Sequence, residues 1–359
     1  MNSNSFFTVT ERPYKYLCFS HKSKCLLIQF FLLPQIFMLF FTKSWNSLII
    51  IFLTVLANCL VETADRVFFK NKKDSYDYIV SCLQGILTGF FIPSDFSFAA
   101  VFFICLICNS VCHFFIGKFA DCWVHSAALT VCVCWILGAE FFPSAQISAQ
   151  LLMSKTPSLQ LIETSSTFHN GFDTVITSFF NKNIFSFFGS SVPEGYFSFL
   201  WDTSSSIPAF RFNILTLIAS VFLISLDVIK ALVPCVFIST YCIFVYFFSS
   251  FFYSDIPLSG DILLALFTSG ILFTAFFLLQ GDGTVPQTVW GKFFYGLCSG
   301  IIAFFIIGPG TSPAGAAFTV LTANVLSNLI QSIEKIVEFY VVKNILLPKK
   351  KEIEEGSNA

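Results

Sequence analysis

The sequence predicts an all-α integral membrane protein of about ten transmembrane helices, and three observations carry that prediction. Of its 359 residues 55% are hydrophobic and only 11% charged, far below the roughly 25% charge of a soluble domain. Apolar runs long enough to cross a hydrocarbon core, roughly 17 to 25 residues each, recur from Cys25 to Val337. These runs lack the two-residue alternation of barrel strands, so helices are the economical way to satisfy the backbone in lipid. Many further runs follow the first, and no small-residue cleavage pattern accompanies it, so a secretory signal peptide is not expected.

Taken in order, an N-terminal segment, 1–24, carries Arg12, Lys15, Lys22 and Lys24. A first five-helix half, 25–143, holds spans centred near residues 33, 55, 86, 107 and 133. Lys43 lies in the first connection, Arg66, Lys70, Lys72 and Lys73 in the second, and Lys118 in the fourth. A polar, Ser- and Thr-rich segment, 144–208, follows; it is too long for a simple connection and is punctuated by Phe, Ile and Trp, so a folded loop is expected. The second half, 209–338, has spans centred near 221, 243, 269, 300 and 326, with Lys230 and Lys292 in its connections. The charged tail, 339–359, is expected to be solvated.

With the N-terminus placed in the cytoplasm, 16 of the 20 Lys and Arg residues fall on the inside, leaving Lys43, Lys155, Lys182 and Arg211 outside. That asymmetry is what the positive-inside bias predicts. Both termini are therefore expected in the cytoplasm and the long loop outside.

A short phrase occurs twice, about half the chain apart: GILTGFFIPSD from Gly85 and GILFTAFFLLQGDG from Gly270. The first copy falls in the third span and the second in the eighth, so they run in opposite directions. This is the pattern of a five-plus-five inverted repeat, in which Gly- or Pro-interrupted segments mark the functional centre. The interruptions are expected at Gly85, Gly89 and Pro93, and at Gly270, Gly281, Gly283 and Pro286.

Residues 276–330, FFLLQGDGTVPQTVWGKFFYGLCSGIIAFFIIGPGTSPAGAAFTVLTANVLSNLI, resemble the RnfD and NqrB family, membrane subunits of bacterial sodium- or proton-coupled redox complexes. The family's segment reads like FFMATDPVTSPVTRKGK, then a Gly-rich helix, then GxAFAILLMN. Phe276, Phe277, Thr284, Pro286, Thr288, Gly291 and Lys292 match it, as do Gly315, Ala317, Phe318, Leu321 and Asn324. Upstream, CLQGILTGFFIPSD and the stretch to Thr130 resemble the family's ALLTGLLLPL and Asn-Pro-Phe-Asn-Pro block. The latter stands here as Cys122, Trp123, Val124, His125 and Ser126, with Asp121 beside it; the first Asp of TDPVTSP aligns with Gly281, next to Asp282. The resemblance extends over nearly the whole chain, and the length suits RnfD better than NqrB.

That resemblance implies a subunit of a redox-driven Na⁺ or H⁺ translocating electron-transport complex in a bacterial inner membrane, working with other membrane subunits and with flavin and iron–sulfur subunits. It also implies FMN, carried covalently by the last Thr of a D-x-x-S-G-A-T motif ahead of a GSxGE segment. Here the stretch is GFDTVITSFFNKN followed by GSSVPEG, which keeps Asp173 and Glu194. Counted without gaps from Asp173 the attachment position is Phe179, and the nearest hydroxyls are Thr174, Thr177 and Ser178, with Thr177 requiring a two-residue slip. The alternative is a flavin-free channel, transporter or scaffold paralogue with the same fold.

Ionisable residues near span ends include Glu62, Asp65, Asp121, His125, Glu140, Asp227, Asp261 and Asp282. Carboxylates within a turn of an end can simply reach the interface. Asp121, His125 and Asp282, with Thr284 nearby, flank the expected breaks and form the candidate ion path. Ten of the thirteen cysteines lie in apolar runs and serve as small packing residues. Cys105, Cys108 and Cys112 share one helical face and keep a metal or redox centre open as the lesser alternative. No nucleotide-binding loop, zinc-protease motif or nucleophile elbow is present, and no basic stripe points to nucleic acid. No catalytic residue is assigned, so NADH oxidation belongs to a partner.

Overall fold

The computed structural model describes residues 19–69, 76–117, 123–143, 171–189, 191, 194–203, 205–253, 260–281, 283–310 and 312–356. Among them the secondary structure is helical, with no strand. The ten expected spans correspond to α1 (His21–Phe41), α2 (Trp45–Phe69), α3 (Tyr76–Phe91), α4 (Phe98–Val111) and α5 (Ser126–Leu137), then α8 (Asn213–Ser225), α9 (Leu232–Tyr253), the pair α10 (Ile262–Thr268) and α11 (Ile271–Phe273), α12 (Val289–Ile307) and α13 (Gly315–Gly356). Between the halves, α6 (Gly171–Asn183) and α7 (Tyr196–Leu200) give the described part of the long loop helical structure. Residues 144–170 of that loop lie outside the described part.

Among the described residues, six helices are long and apolar enough to cross a membrane, and three more apolar helices are shorter. The chain is a multi-pass membrane protein. Its outward surface agrees: Phe30, Phe37, Phe52, Phe103, Trp290 and Phe305 are each 60% or more exposed, an apolar coat that water would not tolerate on a monomeric soluble protein. Much of the phenylalanine content is thus lipid-facing surface.

Small residues set the helix pairing. A side chain at Gly85 would meet the Val55 backbone at 2.6 Å, and one at Gly89 would meet Ile51 at 2.7 Å. With no side chain to separate them, α2 and α3 pack antiparallel at backbone contact, and the Thr54 hydroxyl donates to the Gly85 carbonyl at 2.8 Å. This corrects one expectation. Gly85 and Gly89 do not interrupt α3, which is continuous to Phe91 and ends before Pro93; they admit a neighbour. In the second half Gly296 and Gly300 do the same for α9 and α12, closing on Val236 and on the Phe237 carbonyl. The Tyr241 hydroxyl locks that pair by donating to the Gly308 carbonyl at 2.7 Å.

The second copy does break. Asp261 caps α10 by accepting from the Leu264 amide at 3.1 Å, and the helix stops at Thr268. Gly270 then takes a left-handed conformation, φ 68°, which L side chains adopt at a cost. The chain resumes as α11 and widens into a π turn, Thr274–Leu278. A matching π turn, Cys112–Ile116, ends α4. The two copies of the phrase cross in opposite directions: Phe273 stacks on Phe90, centroids 5.3 Å apart, and meets Phe91 edge-on at 5.5 Å. The neighbour relations also repeat, α2 on α4 on α5 in one half and α9 on α12 on α13 in the other.

α13 continues as one helix of 42 residues past the apolar part, through the charged tail, to Gly356.

Candidate functional site

Two breaks meet at the end of the bundle where α1 begins. α5 has only 12 residues, about 18 Å at 1.5 Å per residue, little more than half of a roughly 30 Å core. It is a half-helix whose N-terminus starts inside the bundle at Ser126. Opposite it, the π turn of the second copy runs out into the Gln280–Thr288 connection.

Between them lies a cavity of about 90 Å³, lined in its polar part by Gln84, His125, Ser126, Gln280, Gly281 and Thr284, with Lys24 at the rim. A side chain on Gly281 would collide with Thr284, 2.8 Å away, and lie in contact with the His125 ring, 3.5 Å away. The Gly281–Thr284 turn therefore lies against His125. Thr284 folds back on that turn, its hydroxyl donating to the Gly281 carbonyl at 3.0 Å. Ser126 donates to Gln84 at 3.3 Å. Asn324 of α13 turns its carboxamide so that the oxygen accepts from the His125 amide at 2.8 Å and the nitrogen donates to the Val320 carbonyl at 3.2 Å. One of the orphan donors at the start of α5 is satisfied in this way.

Two residues that line this cavity each carry a buried atom, His125 Nδ1 and Gln280 Nε2, with no hydrogen-bond partner among the described residues. Buried polar atoms are rarely left so. A few water molecules or a partly dehydrated ion fit a cavity of this size.

The connection is anchored from α13. Ser327 donates to the Thr284 carbonyl, and Gln331 donates to Ser327 at 3.2 Å. The Glu334 carboxylate accepts from the amides of Gln287 and Thr288, each at 3.2 Å, and from the Thr288 hydroxyl. Thr288 is in turn the N-cap of α12, accepting from the Gly291 amide at 2.9 Å, and Glu334 occupies the space a Gly291 side chain would need. Thus Thr288 and Gly291 of the PQTVWGK stretch shape a capped helix start beneath a carboxylate.

His125 and Thr284, both expected on the ion path, come together in this cavity. Asp121 and Asp282 lie outside the described residues. Gln84, Gln280 and Glu334 were not singled out by sequence. For the two glutamines a signal was present: Gln84 immediately precedes the first copy of the repeated phrase, and Gln280 lies near the end of the second. Because the copies run in opposite directions, both glutamines land at the same end.

The expected cofactor residues form a second cluster, in the long loop. Asp173, 2% exposed, accepts from the Gly195 amide at 3.0 Å, from the Ser198 amide and hydroxyl, both at 2.7 Å, and from the Thr177 hydroxyl at 2.8 Å. Burial alone would raise this carboxyl's pKa, yet the four donors hold it below the usual value. Asp173 ties α6 to the start of α7, and Asn213 joins α7 to the bundle by donating to the Phe199 and Phe267 carbonyls at 3.2 and 2.9 Å. Thr177 is 1% exposed. Thr174, Ser178 and Glu194 are exposed, and the Ser178 hydroxyl donates to the Val175 carbonyl at 2.8 Å. Cys105, Cys108 and Cys112 are buried in α4 and its π turn and join no group of three metal-ligating side chains among the described residues.

Comparison with known proteins fits this architecture. Residues 8–339 match the model of the NQR2, RnfD, RnfE family, and the chain belongs to that family. Two curated relatives are both named as components of an ion-translocating oxidoreductase complex. The protein from Mannheimia succiniciproducens is 32% identical over 121 residues, 34% of this chain and 33% of the relative. That from Actinobacillus succinogenes is 38% identical over 65 residues, 18% of each. These alignments span about a third or less of the relatives' length.

Proposed function

We propose that this chain is a membrane subunit of a redox-driven ion-translocating complex in a bacterial inner membrane, and that the cavity around His125 and Thr284 is part of the path of the moving Na⁺ or H⁺. The observation that carries this is the meeting of two interrupted segments, from opposite halves, at a cavity with unsatisfied buried polar groups. Family membership and the names of the relatives support the assignment to such a complex. In the expected orientation the cavity opens to the cytoplasm, and Asp121 and Asp282, neighbours of its walls in sequence, supply carboxylates to an entering cation. Flavin and iron–sulfur subunits are the expected partners, and they carry the electrons from the donor.

Thr177 is a structural hydroxyl in this reading. It is buried, and it donates to a carboxylate that would repel a phosphate attached there. A phosphodiester to FMN does not fit Thr177 with these neighbours; Thr174 and Ser178 have the exposure that an attached group requires. In-gel flavin fluorescence of the denatured chain, with intact mass, tests this: fluorescence that survives Thr174→Val and Ser178→Ala but disappears with Thr177→Val would contradict it. The wider assignment is tested by isolating the chain under gentle detergent. A flavoprotein or iron–sulfur partner should co-purify; a chain recovered alone, which passes ions in liposomes without a redox donor, would replace the assignment with a channel.

A further inference from the structure

A third polar cluster lies away from both the cavity and the loop cluster, where α2 and α4 end. Glu62 and Asp65 are three residues apart and so share one face of α2. The π turn that ends α4 brings His113 onto that face. All three side chains belong to buried residues, 1%, 6% and 7% exposed respectively. His113 Nε2 is 3.1 Å from Asp65 Oδ2, and one ligating atom from each of the three falls within 4.8 Å of the other two. Arg66 flanks the group, 3.6 Å from Glu62 and stacked 4.1 Å over the Tyr78 ring.

We propose that Glu62, Asp65 and His113 form a binding site for a first-row divalent metal ion of the zinc class. One imidazole and two carboxylates are ligands that Zn²⁺ and Co²⁺ accept, with a fourth position left for water. Metal–ligand bonds of about 2.0–2.2 Å put tetrahedral ligand atoms roughly 3.3 Å apart. The His113–Asp65 pair is already close to that spacing, and a Glu62 carboxylate oxygen lies within 4.8 Å of both ligand atoms. Because the ligands come from two helices, a bound ion clamps α2 to the end of α4. None of the three lines the cavity, so the site is separate from the proposed ion path and stands or falls without it.

The test is a Co²⁺ titration of the full chain in detergent after stripping with a chelator. One equivalent should bind with the visible absorption of nitrogen and oxygen coordination, be displaced by Zn²⁺, and raise the melting temperature. His113→Gln and Asp65→Asn should each weaken binding by about tenfold or more, the size of effect that loss of even a supporting partner has at a metal site. Three results would overturn the proposal: no saturable binding by the wild-type chain, sulfur-to-cobalt charge-transfer bands that assign the metal to cysteines, or unchanged affinity in both variants. The wild-type spectrum decides even if a variant fails to fold.

Discussion

Asp173 shows how one side chain can hold a loop to its scaffold. Its folded pKa lies below the ordinary aspartate value, so the stability it contributes is fully present above the unfolded pKa and is lost as pH falls through the folded one. The protection of the Gly195 and Ser198 amides, taken as exchange relative to the intrinsic rate at each pH, should fall on acidification below about pH 4. Asp173→Asn should show fast exchange already at neutral pH, at a cost of about 1–3 kcal/mol for donors left without a charged acceptor. In one dimension Asp173 and Thr177 resemble the remnants of a cofactor motif. In the fold they are one helical turn apart and hydrogen-bonded to each other, a use that the motif's spacing does not reveal. Gly85 makes a sharper prediction. Gly85→Val would drive a side chain into the Val55 backbone, which cannot move aside as a rotamer can. Overpacking of this kind costs about 1–3 kcal/mol, read as a lower melting temperature in detergent.

At the scale of the element, helix existence was legible at every one of the ten expected spans, because apolar length alone demands it. The role of each glycine was not. Gly85 and Gly270 open the same phrase, yet one sits inside a continuous helix and the other follows the end of one. What differs is the neighbour: the α2 backbone against Gly85, and the Phe210 ring where a Gly270 side chain would begin. Gly270→Ala therefore meets both a left-handed backbone and an occupied space, and should destabilise by more than the roughly 1 kcal/mol of the backbone effect alone. The start of α12 depends on α13 through Glu334. Removing that carboxylate, Glu334→Ala, leaves the Gln287 and Thr288 amides without their acceptor; exchange across residues 286–291 should rise while α9 keeps its protection. A contact between residues 47 positions apart has no local sequence signature, so this anchor is visible only in the fold.

At the scale of the molecule the antiparallel run of the two copies explains why the repeated phrase matters. Opposite directions bring Gln84 and Gln280 to one end, and they cross the aromatic surfaces of the two copies at Phe90 and Phe273. Ionisable character marks His125 in the sequence but leaves the glutamines unmarked, since an uncharged amide in an apolar run carries no alarm until its surroundings are seen to be buried. The cavity they share is, in the proposed function, the place where the ion moved by the redox reaction passes. The most direct measurement is redox-driven ion uptake into liposomes by the complex isolated through this chain, comparing wild type with His125→Leu and Thr284→Val while electron transfer is followed in parallel. Both variants should take up less ion per electron transferred, with the complex still assembled. Unchanged uptake per electron in both would contradict the assignment and place the ion's path elsewhere.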